Sequence, residues 1–90
     1  MTFIDWFHKQ LEEHNITKAE LSRKSGVTLS ILKPGYLKRH PLMFPTVIIL
    51  CETLIMHSNG TTQDFINLVN SSLLTIPEYN YAIKRLEKQQ

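Results

Sequence analysis

The sequence predicts an all-α protein, a compact five- or six-helix bundle, and three observations lead there. Four times a threonine stands three residues before a carboxylate, at Thr2/Asp5, Thr17/Glu20, Thr61/Asp64 and Thr75/Glu78. That pattern marks helix starts, with a hydroxyl at the N-cap and an acid where the helix dipole favours it. Apolar residues recur at spacings of three and four, and no stretch shows the strict alternation of a strand. A 90-residue chain with 42% hydrophobic and 20% charged residues suits one globular domain that folds without staples.

The first helix is expected over about residues 3–14, with Ile4, Phe7 and Leu11 on one stripe and Phe3 and Trp6 beside it. Asn15 and Ile16 lead to Thr17, which caps a second helix over about 18–25. Gly26 ends it, as the natural residue for a left-handed position, and Val27 plugs the corner that follows. Thr28 is expected to cap a third helix over about 28–33, with Ile31 and Leu32 facing inward.

Lys33-Pro34-Gly35-Tyr36 carries proline and glycine at the central positions of a type II turn, so the third helix is ended near Lys33. Leu37 to Pro41 is read as a basic loop. Pro45 suits the first turn of a fourth helix over about 44–57, with Val47, Ile48, Cys51, Leu54 and Ile55 at core spacing. Ile49, Leu50 and Met56 leave this helix little polar face, which places it at the centre or under a partner. Ser58-Asn59-Gly60 closes it. A fifth helix over about 62–74 buries Phe65, Leu68, Val69 and Leu73. A sixth over about 76–88, with Pro77 in its first turn, lines up Tyr79, Ala82, Ile83 and Leu86.

A short helix, a glycine turn and a second short helix form the layout of a helix-turn-helix, whose second helix lies in the major groove of DNA. Charge is distributed to match. Residues 17–41 hold six basic side chains against Glu20 alone, a balance of +5, whereas the whole chain carries only +2. The remainder is therefore −3, and a basic middle in an acidic chain is the footprint of a surface that meets phosphates.

Residues 16–54 resemble the helix-turn-helix of the phage-repressor family, the Xre or Cro/cI type. That family has a Thr-Gln start, Glu-Leu-Ala, a Gly-Val turn, a serine opening the recognition helix and a later proline before helix four. Those places here read Thr17-Lys18, Glu20-Leu21-Ser22, Gly26-Val27, Thr28 and Pro41. Lys18, Ser22 and Ser25 stand where the family commonly has Gln, Ala and Leu. The resemblance implies a lambda-repressor-like fold and a DNA-binding transcriptional regulator, a repressor by expectation, acting as a homodimer on double-stranded DNA.

In that geometry Thr28, Leu29, Ser30 and Lys33 are the base-reading candidates, Leu29 through a thymine methyl and Ser30 and Lys33 through hydrogen bonds. Thr17 and Lys18 open a helix whose free N–H groups attract phosphate. Lys38 and Arg39, with Tyr36 beside them, are expected to clamp the backbone, while Arg23 and Lys24 are weaker candidates. Residues 1–75 are read as the DNA-binding domain and 76–90 as a C-terminal dimerisation segment, with Tyr79, Ile83 and Leu86 at the interface.

Other chemistry is not expected. The four histidines and Cys51 share no zinc-ligand spacing, so no metal is assigned. No glycine-rich phosphate loop or nucleophile elbow is present, so no cofactor and no enzymatic activity are expected. The N-terminus lacks a signal-peptide core, a lone cysteine suits a reducing cytoplasm, and no membrane association is expected. The rival reading is a protein-interaction module on the same fold, an adaptor or antitoxin-like protein, favoured by Pro34 and the oily fourth helix.

Overall fold

Six α-helices and one 3-10 turn follow one another without a strand among the described residues, 1–89, of a computed structural model. They are α1 (Phe3–Glu13), α2 (Lys18–Ser25), the 3-10 turn Leu29–Leu32, α3 (Pro34–Arg39), α4 (Phe44–His57), α5 (Thr62–Leu73) and α6 (Pro77–Lys88). Three of the threonine starts are real. Thr2, Thr17 and Thr61 each accept a hydrogen bond from the backbone N–H three residues on, at 3.2, 3.1 and 3.1 Å. The full reciprocal box forms at Thr61, where Asp64 Oδ2 accepts from the Thr61 N–H at 2.8 Å. That N–H, and next the threonine side chain, hold the Asp64 carboxyl below the usual carboxylate range.

Thr75 departs from the expected pattern. Its hydroxyl donates to the Ser72 carbonyl at 2.7 Å, so Ile76 becomes the N-cap of α6 and makes no side-chain cap. The end of α5 claims the hydroxyl first.

The core is built on α4, which packs against α2 on one side and α5 on the other. Val47, Leu50, Cys51, Leu54 and Ile55 are its buried face. Leu50 therefore takes the place expected of Ile48, which is only half-buried, because an almost wholly apolar helix does not show its own phase. From α1, Trp6 and Phe7 are buried, with Phe3, Ile4 and Leu11 half-buried against them. Gln10 is buried too, which an apolar stripe could not foretell. Trp6 Nε1–H donates to Ser71 Oγ at 2.9 Å and so ties α1 to α5. From α5, Leu68 and Ser72 are buried, while Phe65, Val69 and Leu73 are half-buried. Burial pushes the Cys51 thiol up to about 12, so it sits in the core as a small apolar group.

The largest correction concerns residues 28–41. The expected helix over 28–33 is a single 3-10 turn, and Thr28 makes no side-chain cap. Pro34 begins a helix rather than a type II turn, because Gly35 does not adopt the positive φ that such a turn requires. The Lys33 carbonyl accepts from both Tyr36 N–H at 3.1 Å and Leu37 N–H at 3.0 Å, the bonds of a helix's first turn. Proline at the first helical position loses nothing, since its missing N–H would have no partner there. The reward is the burial of Leu37, so most of the expected basic loop is helical.

α6 is peripheral. None of its residues is buried, and Asn80 Nδ2 anchors its first turn by donating to the Leu74 carbonyl at 2.6 Å. The radius of gyration is 13.9 Å, against about 12 Å for a compact chain of this length, as a helix standing off the body requires. No helix is long and apolar enough to cross a membrane among the described residues.

Candidate nucleic-acid interface

α2, the 3-10 turn and α3 pack in sequence, each against the next, and with their capping residues Thr17, Thr28 and Lys33 they carry every DNA-contact residue that the sequence singles out. The corner between the first two is fixed by its backbone. Gly26 sits in the left-handed region at φ 79° and its N–H donates to the Ser22 carbonyl at 2.9 Å. A β-carbon at Gly26 would touch nothing within 4 Å, so only the backbone conformation demands glycine. Gly26→Ala is therefore expected to cost about 1 kcal/mol, read as a shift of the denaturation midpoint. An unchanged midpoint would rule out the left-handed turn.

Two serines that differ from the family pattern stitch this corner. Ser22 Oγ donates to the Val27 carbonyl at 2.6 Å, and Ser25 Oγ accepts from the Val27 N–H at 3.1 Å. The sequence marks them only as standing in place of alanine and leucine, and this role is missed there. The available signal was local: serine competes for nearby backbone groups at helix ends.

Thr17, capping α2, accepts from the Glu20 N–H and keeps its hydroxyl proton to offer. Lys18 is the first helical residue. Across the corner, Thr28, Ser30 and Lys33 are exposed and Leu29 is half-buried. Leu32 beneath them is fully buried and holds the turn to the core. On α3, Lys38 and Arg39 are exposed in the last turn, where the helix dipole favours cations. Tyr36 lies over His40 with ring centroids 4.6 Å apart, so the phenol is held by its neighbour yet stays exposed.

The basic residues divide into two groups. Arg23 Nη2 lies 3.7 Å from Glu20 Oε2, and Lys24 Nζ donates to His57 Nδ1 at 2.7 Å. The first pair lies within α2, and the second joins α2 to α4. Among the described residues, no carboxylate lies within 4.0 Å of the side-chain nitrogens of Lys18, Lys33, Lys38 or Arg39.

Tyr79, Ile83 and Leu86 lie on α6, exposed and away from this region of the chain in sequence. No three His, Cys, Asp or Glu side chains are grouped as a metal site among the described residues. Comparison of the chain with protein-family models, with curated proteins and with solved structures finds no match.

Proposed function

We propose that this chain is a sequence-specific DNA-binding transcriptional regulator, a repressor on a lambda-repressor-like helix-turn-helix domain that acts as a homodimer. The observation that carries the reading is a set of four cations, Lys18 on α2, Lys33 between the 3-10 turn and α3, and Lys38 and Arg39 on α3, that have no carboxylate within 4.0 Å among the described residues. In this reading Thr28, Leu29, Ser30 and Lys33 face base edges. Thr17, Lys18, Tyr36, Lys38 and Arg39 hold the phosphate backbone. The shortness of the 3-10 turn fits a small base-reading contribution, with Lys38 and Arg39 of α3 adding exposed cations beyond Pro34.

The test is fluorescence anisotropy on a mixed pool of short duplexes at two salt concentrations. Each neutralised phosphate adds about 0.9 to the salt slope, so a dimer making six or more contacts loses roughly a thousandfold in affinity between about 50 and 200 mM salt. No binding at low salt would retire the reading. The protein-interaction alternative would then take its place, favoured by an apolar groove of about 460 Å³ lined by Phe3, Leu37, Leu42, Phe44, Val47 and Ile76.

A further inference from the structure

α6 is amphipathic, and the rest of the chain covers its apolar stripe only in part. Tyr79, Ile83 and Leu86 are 36%, 37% and 57% exposed, and Ile76 at its N-cap is 37% exposed. Its charges are ordered as well. Glu78 opens the helix, whereas Lys84, Arg85 and Lys88 lie in its second half with Glu87 among them. Glu78 and Arg85 are seven residues apart, two helical turns, so they lie along one edge of the apolar stripe. Neither has an ion-pair partner among the described residues.

We propose that α6 pairs with α6 of a second copy of this chain, antiparallel about a two-fold axis that crosses between Asn80 and Tyr81. A two-fold contact must be self-complementary, and this register is. It sets Tyr79 against the partner's Ala82, a large side chain on a small one, and does so twice. It sets Leu86 over the partner's Thr75 at the mouth of the apolar groove, with Ile83 beside the partner's Ile76. Glu78 then lies beside the partner's Arg85, and Arg85 beside the partner's Glu78. A parallel pairing would instead stack Glu78 on Glu78 and Arg85 on Arg85. The contact is short, two helices of 12 residues, so the dimer belongs to the weak, reversible class.

This deepens the DNA reading by giving the dimer its geometry, and its test needs no DNA. Sedimentation equilibrium of the full chain over a range of concentrations should show mass rising from 10.5 kDa toward twice that value. Glu78→Arg alone and Arg85→Glu alone should each weaken association about tenfold, and the double variant should restore it. Leu86→Glu should remove the dimer while leaving the thermal melt of the monomer unchanged, since Leu86 is exposed. A chain that stays at 10.5 kDa at every concentration overturns the proposal. So does a dimer indifferent to Leu86→Glu, or a charge swap that fails to restore association. If such a monomer still binds duplex DNA with a steep salt dependence, the DNA-contacting face stands and the homodimer is lost.

Discussion

Replacing Lys38 and Arg39 together by alanine is expected to lower affinity for duplex DNA about a hundredfold per bound subunit at low salt, with little effect on folding. The estimate follows from two phosphate contacts, each a charge-assisted bond contributing at least ~1.4 kcal/mol, a factor of ten. The salt slope should fall by about 1.8 per subunit, since each contact releases about 0.9 of a counterion. Both side chains are exposed and have no acidic partner among the described residues, so their loss leaves no buried charge behind. The cost to α3 is limited to the dipole interaction in its last turn, a few tenths of a kcal/mol each. Fluorescence of Trp6, the single tryptophan and a buried one, verifies the fold of the variant. An intact protein with an unchanged salt slope would remove these two residues from the interface. Arg23→Ala supplies the contrast, because that side chain already faces Glu20 and should shift the slope far less.

The α2 corner and the two helices behind it were legible because each carried its own punctuation. Thr17 before the helix and Gly26 after it fixed α2 to the residue, and Pro45 with the Asn59-Gly60 end fixed α4. Pro34-Gly35 was legible in two ways, and local chemistry did not choose between them. A proline's fixed φ serves a type II turn and a helix's first residue equally well. The decision came from Leu37, which reaches the core only if the segment winds as a helix. That is a long-range contact, and no window of a few residues contains it. Thr75 was ambiguous for a related reason, since its hydroxyl could serve the helix behind it or the helix ahead.

The candidate site was legible by residue type more than by state. The cluster of basic residues between 17 and 41 stood out in the chain, yet nothing local separated Lys24, which bonds His57 in α4, from Lys38, which bonds nothing acidic. That distinction depends on which helix α2 rests against. Exposure along α6 was hidden in the same way. Tyr79, Ile83 and Leu86 have the spacing of a buried stripe, and only the arrangement of the other helices leaves them outside.

Phe7→Ala is expected to destabilise the protein by about 3–5 kcal/mol, the largest effect of any single truncation considered for this chain. Phe7 is fully buried, and its ring stacks on that of Phe3 with centroids 5.9 Å apart and planes 8° from parallel. It belongs to the same cluster as Leu21 of α2, Leu32 of the 3-10 turn, and Leu50 and Leu54 of α4. No neighbouring loop can close the cavity, because the surrounding side chains are held on three helices and a turn. Small domains are stable by roughly 5–15 kcal/mol, so the variant would sit near the edge of folding at room temperature. The melting temperature should fall by more than about 12 °C, at about 4 °C or more per kcal/mol for a chain of this size. Trp6 fluorescence reports the transition, since unfolding frees the indole from Ser71 and from the core. A fall of less than about 1 kcal/mol would mean that the site collapses freely and that Phe7 is not a fixed part of the core. The consequence for DNA follows from Leu32 and Leu21. The corner bearing the cations is fastened to the body through that cluster, so duplex binding in Phe7→Ala should disappear along the same temperature curve as the fold.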